Sequence, residues 1–155
     1  MKRIKKILLG ILFIILIVFI VIQFIRPARN ISGQVLQTDI SKTFNIPGDV
    51  HILLKNACYD CHSNNTNYPW YSNIQPVGWF LAEDIKDGKA ELNFSEFGAL
   101  SSRRQKSKLK NVASRIKDGT MPLPIYQFMH PSARLTEEER QLLIDWIQRV
   151  KDSLQ

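Results

Sequence analysis

From Ile7 to Ile25 the chain runs through nineteen residues of Ile, Leu, Val and Phe, interrupted only by Gly10 and Gln23. At ~1.5 Å rise per residue, a helix of that length measures roughly 28 Å, close to the ~30 Å thickness of a hydrocarbon core. A helix is also the form in which a segment satisfies its own backbone in lipid. So Ile- and Val-rich a run would make a poor isolated helix in water. A secretory signal would carry a shorter apolar stretch of ~7–15 residues and a small-x-small cleavage site. Here the run is longer and is followed by Arg26-Pro27-Ala28-Arg29-Asn30. The pattern therefore points to a retained transmembrane anchor over 7–25.

Charge supports an orientation for that anchor. Lys2, Arg3, Lys5 and Lys6 precede it, and Arg26 and Arg29 follow it. The positive-inside rule keeps residues 1–6 in the cytoplasm and exports everything after Arg26. The expected location is the inner membrane, crossed once, with the remainder in the periplasm. The whole chain has 21 Lys and Arg against 14 Asp and Glu, a net +7. Four of those positive charges lie in the first six residues, leaving a net +3 on the exported part. The excess thus speaks for topology rather than for nucleic acid. With 155 residues the chain has room for one ordinary domain. Its two cysteines are too few for a disulfide framework or a four-cysteine metal site.

The exported part reads as all-α. Residues 26–48, with Pro27, Gly33, Pro47 and Gly48, have no sustained period and read as a tether to a domain over 49–152. Asp49 is the expected N-cap for a helix whose apolar face is Val50, Leu53, Leu54, Ala57 and Cys58. Ser63 to Pro69 is loop. Val77 to Lys86 forms a second helix, stopped at Gly88, and Ser101 or Ser102 opens a third that ends near Lys117 before Gly119. The last helix starts at Thr136, where Glu139 three residues on completes a capping box. Leu142, Leu143, Trp146, Ile147 and Val150 form its apolar stripe. Four helices with long loops leave a thin apolar core, which hints at a cofactor completing it.

Cys58-Tyr59-Asp60-Cys61-His62 supplies a candidate for that cofactor. Two thiols three residues apart at a helix end can each bond one vinyl group of a single haem, and the adjoining imidazole can then ligate its iron. A thioredoxin-like dithiol would need a preceding strand within a βαβ pattern, whereas the segment before Cys58 is helical. Zinc would need further ligands at metal spacing, and only His51 and His130 remain. Export fits too, because haem c is attached outside the energy-transducing membrane. The expectation is one covalent haem c, held by Cys58 and Cys61, with His62 as proximal iron ligand.

For the distal ligand the candidates are Met121, Met129, His130 and His51. On one continuous helix His51 would lie ~16 Å from His62, out of reach across the ring. Met121 sits in Asp118-Gly119-Thr120-Met121-Pro122-Leu123-Pro124, where the prolines restrict the loop and pre-position the sulfur. Met121 is the first choice, with Met129 and His130 as alternatives. A Met ligand raises the potential relative to bis-His. Among the aromatic residues after the motif, Trp70 and Trp79 are placed at the haem, with ordinary core packing as the alternative. Seven basic residues between Arg103 and Lys117, with no acid among them, read first as a solvated helix face. A docking face for an acidic redox partner, or neutralisation of haem propionates, is the other reading.

Cys58 to His62, Asn67-Tyr68-Pro69-Trp70-Tyr71, Met121-Pro122, His130-Pro131 and the helix from Leu135-Thr136 to Asp145-Trp146-Ile147 resemble the haem-binding domain family of exported bacterial proteins. The likeness covers about residues 40–152. It implies a cytochrome c-like domain with Cys58 and Cys61 as attachment thiols, His62 proximal and Met121 distal. A single Pro follows Met121 where related sequences often show two. The expected function is that of an anchored monohaem electron carrier, not an enzyme, with an unidentified redox partner. The other readings are a haem-based sensor or weak peroxidase with a displaceable sixth ligand, and a subunit presenting haem to a larger respiratory assembly.

Overall fold

The computed structural model describes residues 2–154. In chain order the α-helices are α1 (Lys2–Ile22), α2 (Ile40–Thr43), α3 (Gly48–Ala57), α4 (Tyr59–His62), α5 (Val77–Glu91), α6 (Ser102–Lys117), α7 (Pro124–Met129) and α8 (Glu137–Ser153). Short 3-10 turns lie at Trp70–Asn73, Phe94–Ala99 and Pro131–Ala133. Among the described residues there is no strand, only an isolated bridge between Ile31 and Asn65. The all-helical expectation holds. The chain divides into two compact units: Met1–Arg29 with Tyr68–Asp84, and Asn30–Asn67 with Ile85–Gln155.

In the first unit α1 is long and apolar enough to cross a membrane. Beyond Ile22 the backbone tightens, with Gln23, Phe24 and Ile25 donating to the carbonyls three residues back. Their N–H groups are thereby satisfied to the end of the apolar run.

The second unit is built on α6 packed against α8. Thr136 starts α8 as expected: its hydroxyl accepts from the Glu139 N–H, and the Glu139 carboxylate accepts from the Thr136 N–H. Three glutamates in the first turn suit the positive end of the helix dipole. Leu143, Trp146, Ile147 and Val150 are buried against Leu109 and Ile116 of α6 and Val50, Leu53 and Leu54 of α3. Gly119, at φ +67°, ends α6 in the left-handed region, and Arg140 Nη1 donates to the Ile116 carbonyl (3.0 Å). Residues 30–47 carry the buried pair Asp39 and Ile40. They meet the turn at 94–99, where the Gly98 N–H donates to the Thr38 carbonyl (2.7 Å).

Three local expectations need correction. The helix at 48–57 has Pro47 as its cap residue, and Asp49 lies inside the first turn, accepting from the Val50 N–H (2.8 Å). That helix stops at Ala57, so His51 and His62 are not on one helix. Thirdly, α5 does not end at Gly88 but continues to Glu91. A Cβ at Gly88 would stand 2.8 Å from the Cys61 carbonyl oxygen, so this glycine serves close packing rather than termination.

Candidate haem-binding site

Cys58 lies where α3 breaks. Its φ/ψ of −130°/−42° is non-helical, and its N–H still donates to the Leu54 carbonyl (2.9 Å). Its own carbonyl then accepts from both Cys61 N–H (3.3 Å) and His62 N–H (2.9 Å). The motif is thus one closed turn, α4, with both thiols and the imidazole on it. The cysteines form no disulfide and are half-buried. Burial, followed by the neighbouring Cys61, pushes the Cys58 thiol up to about 12.

His62 is held by the end of α5. Its Nδ1 lies 2.8 Å from the Gly88 carbonyl and 3.0 Å from that of Leu92. Carbonyls only accept, so Nδ1 carries a proton, and in the neutral ring the lone pair is then on Nε2. A ring bound in this way at one nitrogen is oriented, and made more basic, for a metal at the other. The Gly88 carbonyl also accepts from the Leu92 N–H (2.9 Å), so it serves both the helix end and the ring. The contact depends on Gly88, because a side chain there would meet the Cys61 backbone. Phe94, buried, packs edge-on to the His62 ring at 6.2 Å and stacks on Tyr59 at 5.3 Å.

The residues between the cysteines are wired into the surrounding fold. The Tyr59 hydroxyl donates to the buried Asp39 carboxylate (3.1 Å). Burial first, and the Asp39 charge next, hold the phenol above its ordinary pKa. The Asp60 carboxylate accepts from the Asn67 N–H (2.9 Å) and the Tyr126 hydroxyl (2.8 Å). Tyr126 belongs to α7, five residues after Met121, so this bond fastens the segment after the Met-Pro loop to the motif. His130 stacks on Tyr126 at 4.1 Å, and its Nδ1 lies 3.1 Å from the Tyr126 carbonyl. Asp39, His51, Tyr59, Asp60, Tyr126 and His130 border one cavity of about 760 Å³.

Met121 is half-buried, its N–H donating to the Arg115 carbonyl at the end of α6 (3.2 Å). Met129 closes α7 and is 41 % exposed, next to the exposed Ile125 and Phe128. Trp70 and Trp79 fall in the first unit. Trp70 is exposed, and the Trp79 indole donates to the Ile25 carbonyl (2.7 Å). Phe94 packs on both Tyr59 and His62 of the motif. The sequence offers Phe94 among the aromatic residues that could line the haem, but Gly88 and Tyr126 were missed as parts of this site. A glycine at mid-helix height was the one available signal.

A family model described as a haem-binding domain matches residues 17–149, most of the chain. The chain belongs to the haem-binding domain family. No curated protein and no solved structure matches it. The family's cofactor suits the donor set present here: a half-buried thiol pair on one turn and an imidazole whose free nitrogen is Nε2. Cys58, Cys61 and His62 are the residues of this haem-binding domain that would hold the group. α6 buries Gln105, Leu109 and Ile116, while Lys106 and Lys108 are half-buried and its other basic residues exposed; Lys108 Nζ lies 3.8 Å from the exposed Glu91. An ion pair this long and partly exposed contributes little.

Proposed function

We propose that this haem-binding protein is a membrane-anchored, exported monohaem cytochrome of the c type that transfers electrons. The observation that carries the reading is the imidazole of the Cys-x-x-Cys-His turn, with Nδ1 committed to the Gly88 and Leu92 carbonyls and Nε2 left to ligate iron. Cys58 and Cys61 would hold the haem through thioethers, His62 would be the proximal ligand and Met121 the distal one. The bound haem supplies an iron that passes between ferric and ferrous states.

The chain's own residues do the rest. Phe94 and the α5 terminus fix the imidazole plane, which keeps reorganisation small on electron transfer. A Met sulfur favours the ferrous state relative to a second imidazole. With both His62 and Met121 ligating, the iron would have no open coordination position, which would favour a carrier over a peroxidase or gas sensor. The anchor over 7–25 would keep the carrier at the membrane, with residues 1–6 cytoplasmic and the haem domain periplasmic.

The test is the spin state of the ferric protein and carbon monoxide binding to the ferrous protein. A low-spin ferric spectrum and resistance to carbon monoxide are expected. A water-ligated, high-spin ferric form that binds carbon monoxide readily once reduced would transfer the assignment to a sensor or peroxidase.

A further inference from the structure

Gln23 is the one strongly polar side chain in the apolar run, and the first unit uses it fully. Its Nε2 donates to the Phe19 carbonyl (2.9 Å) and to the Gln75 carbonyl (3.1 Å), and its Oε1 accepts from the Gln75 N–H (2.9 Å). One side chain thus grips both backbone groups of Gln75. Further bonds fasten the same stretch to the residues after α1. The Trp79 indole donates to the Ile25 carbonyl, and Arg29 donates to Asn73 Oδ1 (2.6 Å) while its guanidinium lies over the Tyr68 ring at 4.7 Å. The segment is itself folded tightly. The Gly78 N–H donates to the Ile74 carbonyl (3.0 Å), and a Cβ at Gly78 would collide with the Ser72 carbonyl oxygen.

So firmly held a segment nevertheless exposes its apolar side chains. Trp70 is 74 % exposed and Phe80 69 %, with Val77 and Ile74 exposed as well. In water these would be a liability. Their depth suggests otherwise, because Gln23 lies only two residues, ~3 Å of helix rise, before the last apolar residue of the run. The segment is therefore clamped at the edge of the hydrocarbon core, the level where Trp and Tyr concentrate and where apolar faces dip into the headgroup boundary. Arg26 and Arg29, both exposed, sit at the same level with charges suited to lipid phosphate.

We propose that residues 68–84 form an interfacial seat. Trp70, Ile74, Val77 and Phe80 enter the headgroup boundary of the leaflet where α1 ends, and Gln23 fixes the depth by clamping Gln75. The inference rests on α1 being a membrane anchor. It gives Trp70 a lipid contact and makes Gln23 a positioning residue for the segment rather than a flaw in the apolar run.

Photo-crosslinking in the full-length protein tests it. Benzoylphenylalanine replaces, one at a time, Phe13 in α1, Trp70, Phe80, and Ile52, which is exposed on α3 of the second unit. Each protein is reconstituted in vesicles of phosphatidylethanolamine and phosphatidylglycerol, illuminated, and weighed for lipid adducts. Adducts at 13, 70 and 80, with none at 52, are expected. Adducts at 13 but none at 70 and 80 would overturn the seat and leave the anchor standing. No adduct at 13 would overturn the anchor and the seat together. Gln23→Leu, which keeps the run apolar but removes the clamp, is expected to reduce the adduct at 70 and leave that at 13 unchanged. Equal labelling at 70 with and without Gln23 would refute its positioning role.

Discussion

At Gly88 two effects of comparable kind oppose each other, and their size decides the outcome. Alanine would gain about 1 kcal/mol of helix propensity over glycine in mid-helix. Its methyl, however, would stand 2.8 Å from the Cys61 carbonyl oxygen and 3.2 Å from the Cys61 Cβ. Overpacking of that sort costs about 1–3 kcal/mol, and the atoms that must yield are motif backbone. Gly88→Ala is therefore expected to lower stability in a denaturant titration despite the better helix former, and to weaken the hold on His62. The buried Cys58 thiol gives a pH signature. Its folded pKa is raised, so its contribution favours folding below the ordinary thiol value of 9.0 and is lost as pH climbs toward about 12. The raised Tyr59 phenol acts in the same direction. Haem-free protein should lose stability across that alkaline window, and Cys58→Ser should flatten the loss; urea titrations at several pH values read it. Replacing Met121 by Ala should open the sixth position, turning the ferric spectrum high-spin, while an unchanged spectrum would move the ligand to Met129 or His130. As a candidate site, Cys58, Cys61 and His62 were legible because the proposed chemistry is written in one five-residue motif. Gly88 was not, since a glycine in a helical pattern reads as a stop until the chain it packs against is known.

Among the elements, the last helix shows how far local signals reach. Thr136 and Glu139 announced a capping box, which stands as expected, and of the announced stripe Leu143, Trp146, Ile147 and Val150 are buried while Leu142 is half-buried against the core. Thr136→Ala should cost about 1 kcal/mol in thermal or denaturant unfolding. The short α7 was not foreseen, because six residues that begin at a second proline carry no helical period. Its anchoring is equally non-local. The Tyr126 hydroxyl reaches Asp60 across 66 residues of chain, and Tyr126→Phe should cost about 1 kcal/mol while loosening the segment that follows Met121. Residues 30–47 were illegible for the same reason. Asp39 and Ile40 are buried by partners far along the chain, Tyr59 and the turn at 94–99 among them. A sequence period reports one element's face and cannot report which irregular segment covers it.

For the whole molecule, two independent features converge. A nineteen-residue apolar run at the N-terminus and a Cys-x-x-Cys-His turn have no physical need of each other. Together they are what the proposed reading requires, a cofactor site made outside the membrane on an anchored chain. The haem-binding family match covers the motif and only the last part of the apolar run, starting at residue 17 within α1 and ending at 149 within α8. The charge distribution agrees, with four basic side chains ahead of the run and a nearly balanced remainder. The central claim is that Cys58 and Cys61 bind one haem covalently. Intact mass of the protein purified from membranes, measured under denaturing conditions, tests it most directly. The expected mass is that of the full chain, anchor included, plus one haem, with Cys58→Ser, Cys61→Ser together removing the addition. A bare polypeptide mass, with haem extracted by acid solvent, would contradict covalent attachment.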